Sequence, residues 1–194
     1  MFSRDDGLFL HLLQTLEELA IPYVIVGGFA ATLYGSSRVT YDIDIVVDLN
    51  DEQIAALCAA YPLPRYYADP EQMRDSSRRG IMFNLIDTDR GEKADLVPIS
   101  GRAMKQRTLQ RRIRQTIALS ATHRLDVWCA RPDDVILGKL QAWQQGRSAR
   151  HESDIYAMMV VDTQQGESGA DTLIDYELGV TQLTINRKVD RLQV

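Results

Sequence analysis

The sequence predicts an α+β protein with a mixed β-sheet, flanking helices and a C-terminal helical annex. In the first part of the chain, short apolar or alternating runs are interspersed with segments of helical periodicity, whereas the chain after about residue 130 is mostly helical in pattern. Hydrophobic residues make up 45% of the 194 residues and charged residues 25%, which is typical of compact globular proteins and excludes disordered or collagen-like chains. We therefore expect a sheet domain over residues 1–130 and the annex over residues 131–194.

Individual elements follow from apolar spacing, turn residues and caps. The predicted strands cover residues 23–26, 41–48, 81–86, 93–97 and 125–129. The predicted helices cover residues 8–19, 29–34, 51–61, part of 103–117, 132–145, 151–161 and the chain from residue 171. The third and fourth strands form a hairpin through Asp89-Arg90-Gly91. Residues 62–79 are polar and are predicted to be irregular.

Charge and cysteine content restrict the environment and the partners. The net charge of -5 argues against a general nucleic-acid coat, although a local basic patch stays compatible with it. No apolar run reaches the roughly 20 residues that a membrane span needs, and the first residues lack the features of a secretory signal. Cys58 and Cys129 are too few for a disulfide framework. We expect a cytoplasmic protein with no membrane partner.

A pair of glycines lies where a buried strand passes into a helix. Gly27 and Gly28 follow the apolar run 23–26 and precede the helical segment 29–34. Glycine allows a sharp turn and lets a ligand approach the backbone closely. Amides at the start of a helix carry partial positive charge, which suits a phosphate group. This turn is therefore a candidate site for a polyphosphate.

Three aspartates indicate metal chemistry beside that turn. Asp42 and Asp44 lie two residues apart on the alternating strand, so their carboxylates share one face with Cα atoms roughly 6–7 Å apart. Such a pair converges on one divalent ion or brackets two, and Mg²⁺ prefers hard oxygen ligands together with substrate phosphates. Asp95 lies between Ala94 and Leu96, so alternation turns its carboxylate away from the buried face. A third carboxylate from a neighbouring strand would complete the site.

This combination of motifs resembles a known superfamily. The strand–Gly-Gly–helix turn, the Asp42-Ile43-Asp44 strand and the later Asp95 are similar to the signature of the DNA polymerase beta-type nucleotidyltransferases. The wider pattern is similar to the small prokaryotic AbiEii-like group, whose members are often toxins of toxin–antitoxin pairs. The further residues that carry this resemblance are Phe29-Ala30-Ala31, Tyr34-Gly35, Arg38, Thr40, Arg131–Leu140 and Arg150–Ile155.

The resemblance implies a nucleotidyltransferase-like fold, a reaction and a set of roles. The reaction would transfer a nucleoside monophosphate from an NTP such as ATP to an acceptor hydroxyl, with RNA or tRNA among the acceptors and a cognate antitoxin or toxin as a protein partner. Asp42, Asp44 and Asp95 would be the catalytic residues and would bind two Mg²⁺ ions, or Mn²⁺. Asp95 would also help to activate the acceptor. The nucleotide contacts would come from Gly27, Gly28, Ser36, Ser37, Arg38 and Lys139.

Two departures from the superfamily pattern leave an alternative function open. Many members have a phosphate-binding serine where this chain has Gly28, so that contact would come from backbone amides or from Ser36 or Ser37. The segment His151-Glu152-Ser153-Asp154 stands where the pattern has Lys-Asp-x-x-Asp character. The alternative is a non-catalytic nucleotide-binding or partner-binding module on the same fold.

Two charged segments each have a structural and a functional interpretation. A basic run without acids is either a solvated helix face or a surface for a polyanionic acceptor such as RNA. Its members are Arg102, Lys105, Arg107, Arg111, Arg112 and Arg114. Arg147, His151 and Asp154 have the spacing of one helix face, which is either a salt-bridged face or a substrate contact.

Overall fold

A computed structural model describes residues 7–101, 103–118 and 124–165, with the side chains of all of these except residue 118 and residues 161–165. Over these residues the α+β prediction is confirmed. The strands are β1 (Tyr23–Val26), β2 (Asp42–Val47), β3 (Tyr66–Tyr67), β4 (Phe83–Asp87), β5 (Glu92–Pro98), β6 (Ile113–Ala118) and β7 (Arg124–Cys129). The helices are α1 (Leu8–Glu18), α2 (Gly27–Leu33), α3 (Asp51–Ala60), α4 (Pro70–Arg79), α5 (Ala103–Arg111), α6 (Pro132–Gly146) and α7 (Ala149–Gln165). The helix predicted from residue 171 lies outside the described residues.

The strands form one mixed sheet in the order β3-β4-β5-β2-β1-β7-β6. The pairs β2–β5 and β1–β7 are parallel, and the other neighbouring pairs are antiparallel. The hairpin predicted through Asp89-Arg90-Gly91 is present as β4 and β5. Its second strand lies between β4 and β2, so residues far apart in the sequence become neighbours in the centre of the sheet.

One face of the central strands is packed into the core. Ile43, Ile45 and Val47 of β2 are fully buried, as are Leu85 of β4 and Leu96 of β5. The strand register places these residues on the same face of the sheet. Because successive side chains of a strand point to opposite faces, the residues that alternate with them face the other way.

The chain forms two compact units. The first comprises residues 7–29 and 39–131 in its described part and holds the sheet. The second comprises residues 30–38 and 132–165 in its described part, and there α6 packs against α7. The division at residue 130 into a catalytic domain and an annex stays a prediction. In the part of the chain that the structure describes, no helix combines the length and the apolar character that crossing a membrane requires.

Residues 62–79, predicted to be irregular, contain β3 and α4. The cap signals of α4 are strong, because the Asp69 carboxylate accepts hydrogen bonds from two backbone amides at its start and Gly80 ends it with a φ of +64°. The apolar signal is weak, because Met73 and Ser76 are its buried residues. A prediction that rests on apolar periodicity therefore misses this helix.

The helix predicted within residues 103–117 is shorter, since α5 ends at Arg111 and β6 begins at Ile113. β6 pairs with β7, and its β-branched residues suit a pleated strand. The basic run is therefore divided between a helix and a strand. The guanidinium carbons of Arg112 and Arg114 lie 4.6 and 4.5 Å from the centre of the Trp128 ring, so these two arginines do not lie on a solvated helix face.

Candidate active site

The fold brings Asp42, Asp44 and Asp95 to one face of the sheet. Asp44 and Asp95 are direct partners in the parallel pairing of β2 with β5. Partners on adjacent strands point to the same face, and Asp42 joins them because it lies two residues before Asp44. The register therefore does not place Asp95 on the opposite face of the sheet, where it would be separated from Asp42 and Asp44.

Gly27 contacts Asp44 so closely that no larger residue fits there. Val26, the last residue of β1, is the register partner of Asp44. The next residue, Gly27, has a φ of +69°, and a Cβ built on it would lie 2.0 Å from Asp44 Oδ2. The glycine turn that the sequence identifies therefore adjoins the aspartate pair, and Gly28 follows it in the first turn of α2.

Two further residues, Asn84 and Lys93, hold Asp95. The Asn84 amide donates to Asp95 Oδ1 at 2.5 Å, and Lys93 Nζ lies 2.9 Å from both carboxylate oxygens. Neither residue is among those that the sequence predicts for the site. The signals were available, because Lys93 is two residues from Asp95 on the same strand and the predicted hairpin pairs Asn84 with Asp95.

Lys93 is a cation next to the carboxylates on this face of the sheet. It is the register partner of Asp42, and its side chain is 41% exposed while that of Asp95 is 8% exposed. Its hydrogen bond to Asp95 raises the pKa of the Lys93 ammonium, and the charges of Asp95, Asp42 and Asp44 add to this effect against the opposing influence of burial. At the outer end of the face, Thr40 Oγ1 donates to Asp42 Oδ1 at 2.7 Å.

The donor chemistry of this face fits Mg²⁺. Three carboxylates from adjacent strands supply the hard oxygen ligands that Mg²⁺ prefers. Within the described residues, no three Asp, Glu, His or Cys side chains are gathered closely enough to hold a metal ion as they stand. A closed protein cage is not the usual form of a Mg²⁺ site, since this ion is commonly held by one or two carboxylates with waters and substrate phosphates.

Asp154 organises a separate cluster in the second unit. Its carboxylate accepts from Lys139 Nζ at 2.6 Å, from Ser36 Oγ at 2.7 Å and from Arg38 at 3.4 Å. Asp154 and Lys139 are both buried. Burial on its own raises the pKa of Asp154, but the hydrogen bonds from Lys139 and Ser36 outweigh it and hold the pKa below its ordinary value.

The predicted nucleotide contacts are therefore distributed between the two units. Gly27 and Gly28 lie beside the aspartates of the first unit, while Ser36, Arg38 and Lys139 surround Asp154 in the second. The remaining predicted contact, Ser37, is exposed. Their roles in nucleotide binding stay predictions.

Arg147, His151 and Asp154 do not form the predicted single helix face, because Arg147 lies between α6 and α7 with a φ of +49°. Asp154 is buried against Lys139, and the Arg147 guanidinium stacks on Trp143, 4.1 Å from the ring centre. Burial, together with the positive charges of Arg150 and Lys139, lowers the pKa of His151. This segment ties α7 to its surroundings within the second unit.

Comparison with known proteins supports the fold. No protein-family model and no curated protein matches the chain. The solution structure of the antibiotic-resistance factor ANT(2'')-Ia is 15% identical, with 95% of this chain and 92% of that chain covered and a TM-score of 0.50. A crystal structure of ANT(2'')-Ia with adenylyl-2''-tobramycin is 18% identical, with 86% and 92% covered and a TM-score of 0.48. A nucleotidyltransferase-like protein from Paracoccidioides brasiliensis is also 18% identical, with 88% and 87% covered and a TM-score of 0.45.

At these sequence identities the similarity concerns the fold alone. Among the three structures, the similarity of fold rests on the solution structure of ANT(2'')-Ia, which has the TM-score of 0.50. The protein has a nucleotidyltransferase-like α+β fold. Its membership of the AbiEii-like group stays a prediction.

Proposed function

We propose that this protein is a Mg²⁺-dependent nucleotidyltransferase that moves a nucleoside monophosphate from an NTP to an acceptor hydroxyl and releases pyrophosphate. The observation that carries the proposal is the direct register of Asp44 with Asp95 on adjacent parallel strands, with Asp42 on the same face. The nucleotidyltransferase-like fold agrees with it.

In this proposal the chain positions the reactants and moves one proton. Asp42, Asp44 and Asp95 would hold the metal, and the backbone at Gly27 and Gly28 would approach the triphosphate. Mg²⁺, or Mn²⁺ in its place, supplies neutralisation of the triphosphate charge when it is bound. The acceptor oxygen forms a bond to the α-phosphorus while the bond from that phosphorus to the pyrophosphate oxygen breaks. Asp95 takes the proton of the acceptor hydroxyl and passes it to water.

The decisive experiment removes one carboxylate charge at a time. We expect Asp42→Asn and Asp44→Asn to lower Mg²⁺-dependent pyrophosphate release by at least about 100-fold, because each removes a charged ligand without changing side-chain size. The matched control is Asp48→Asn, which makes the same change on an exposed residue directly after β2. Circular dichroism checks that each variant folds. Wild-type activity in either site variant would rule out the assignment.

The acceptor that we favour is RNA or tRNA, on the basis of the basic run around α5 and β6. We expect incubation with each labelled NTP, Mg²⁺ and total cellular RNA to label an RNA species, and Asp42→Asn to prevent it. Label on the protein or on a small molecule instead would identify another acceptor.

The proposed role as a toxin predicts that expression arrests growth, that Asp44→Asn relieves the arrest, and that a neighbouring gene encodes the neutralising partner.

A non-catalytic nucleotide-binding module is the second candidate. The observation that favours it is the engagement of both Asp95 oxygens by Lys93 and Asn84, which leaves the third carboxylate already partnered. Calorimetry with NTP and Mg²⁺, combined with a pyrophosphate assay, separates the two candidates. Tight binding without pyrophosphate release would favour the binding module, whereas turnover would favour the enzyme.

A further inference from the structure

We infer that Lys93 is an internal counter-ion of the carboxylate face, the face of the sheet that carries Asp42, Asp44 and Asp95. The Lys93 ammonium competes with free divalent ions for this face and is displaced when a metal binds together with a nucleotide. This inference deepens the proposed function and rests on it. It makes Lys93 a positioning residue that acts through Asp95 and couples metal binding to nucleotide binding.

The geometry provides the first step. Lys93 is the register partner of Asp42 and lies two residues before Asp95, so its side chain starts on the face that carries all three carboxylates. Its ammonium is 2.9 Å from both oxygens of Asp95, and it interacts electrostatically with Asp42 and Asp44. A cation that uses Asp95 as a ligand therefore has to displace the ammonium from at least one oxygen.

Charge provides the second step. Asp42, Asp44 and Asp95 carry three negative charges on neighbouring positions, and Lys93 offsets one of them. A free divalent ion that enters this face has to compete with the ammonium for Asp95. The Lys93 ammonium is a compact charge on a flexible four-carbon stem, and its side chain is 41% exposed. A triphosphate that arrives with the metal offers the ammonium another anion, so Lys93 keeps an anionic partner when the metal displaces it from Asp95.

Reciprocity provides the third step. If the nucleotide gives Lys93 a new partner and thereby frees Asp95 for the metal, nucleotide must strengthen metal binding, and metal must strengthen nucleotide binding by the same factor. Removing the ammonium removes this competitor for Asp95 with or without nucleotide, while the Asn84 amide still donates to Oδ1. Loss of Lys93 should therefore tighten the binding of free metal and weaken its coupling to nucleotide, whereas a merely structural residue would not tighten metal binding when removed.

The test measures Mn²⁺ affinity by electron paramagnetic resonance on the full chain, without nucleotide and with α,β-methylene analogues of the four NTPs. We expect Lys93→Met to bind free Mn²⁺ at least about 5-fold more tightly than the wild type, at the low end of typical couplings between sites, and to show a smaller enhancement by the analogue. Lys93→Arg should behave like the wild type because it keeps the charge. Arg79→Met removes a positive charge from an exposed residue of α4 in the same unit and should leave Mn²⁺ affinity unchanged.

Equal or weaker binding of free Mn²⁺ by folded Lys93→Met would overturn the inference. Failure of the proposed function has a different signature, namely an Asp42→Asn variant that binds Mn²⁺ as the wild type does. A wild type that binds Mn²⁺ and nucleotide but releases no pyrophosphate would exclude the enzyme, and the comparison of Lys93→Met with the wild type would still decide the role of Lys93.

Discussion

The backbone at position 27 requires glycine for two independent reasons. Its φ of +69° lies in the left-handed region, and an added Cβ would lie 2.0 Å from Asp44 Oδ2. We expect Gly27→Ala to destabilise the protein by about 1–2 kcal/mol through backbone strain alone. It should also displace Asp44 and therefore strongly reduce pyrophosphate release. Urea unfolding and the activity assay measure the two effects.

Gly91 offers a matched control for this substitution. It has a φ of +67° in the turn between β4 and β5, but nothing lies within 4 Å of an added Cβ. Gly91→Ala should therefore lose comparable stability while it keeps the activity. If Gly27→Ala keeps full activity when it is folded, the close contact with Asp44 does not matter for the chemistry.

For individual residues, the sequence predicts which side chains carry the chemistry better than it predicts the contacts that those side chains make. Alternation within a strand is enough to place Asp42 and Asp44 on one face, and a buried neighbour on each side of Asp95 is enough to orient it. Naming Asn84 requires the register of the hairpin in addition. The burial of Lys139 against Asp154 requires the packing of two helices, which no local pattern contains.

Asp87 stabilises the end of the β4–β5 hairpin, whose second strand carries Asp95. It is fully buried, and its carboxylate accepts from the Arg65 guanidinium at 2.8 Å and from the backbone amides of Asp89 and Arg90. We expect Asp87→Asn to lower Tm, because the amide loses the charge and one acceptor oxygen. The control is Asp75→Asn, whose exposed pair with Arg79 should contribute little. Thermal unfolding that is equal for the two variants would contradict this role.

The Lys139–Asp154 pair connects α6 with α7 in the second unit. We expect Lys139→Met to cost about 3–5 kcal/mol, because it leaves the Asp154 carboxylate buried without its main partner. The double variant Lys139→Met with Asp154→Leu should recover much of this loss, since replacing a buried pair by apolar residues is often nearly neutral. Urea unfolding of both variants checks this. A double variant that is less stable than Lys139→Met would contradict a mainly pairwise role.

Elements are predictable where one signal dominates. β2 alternates clearly, and the Asn50 cap marks the start of α3 through a reciprocal capping box with Gln53. α4 is missed because its apolar face is too sparse, and β6 is missed because a basic run suggests a helix. In both segments the decisive information is tertiary: α4 packs against α3 and β4, and β6 pairs with β7.

At the scale of the whole molecule, each unit contains a buried aspartate whose pKa is lowered. Burial alone would raise the pKa of Asp87 and of Asp154, but hydrogen bonds from Arg65 and from Lys139, respectively, lower it below the ordinary value. A carboxyl whose pKa is lower in the folded state contributes stability above its unfolded pKa of about 3.9, and this contribution is lost as the pH falls through the folded pKa.

We therefore expect the free energy of unfolding to fall steeply below about pH 4. Asp154→Asn should be less stable than the wild type near neutral pH, and the difference should shrink on acidification. Unfolding curves in urea between pH 3 and 7 measure both trends. A difference that stays constant over this range would show that the charge of Asp154 does not contribute.

For the molecule as a whole, the sequence predicts the fold class and the strands on which the aspartates lie, but it does not predict the order of the strands in the sheet. Nothing in the run from Glu92 to Pro98 reveals that it is inserted between β4 and β2. That placement depends on long-range pairing and on burying Ala94 and Leu96 in the core. It is also the placement that brings Asp95 to Asp44.

The central position of β5 has a consequence for the order in which the protein matures. Asp44 and Asp95 are separated by α3, β3, α4 and β4 along the chain, so their meeting depends on distant contacts, which form slowly compared with local ones. A nascent chain in which β5 has not yet docked carries the first two aspartates without the third. The complete triad therefore forms only when β5 has paired with β2.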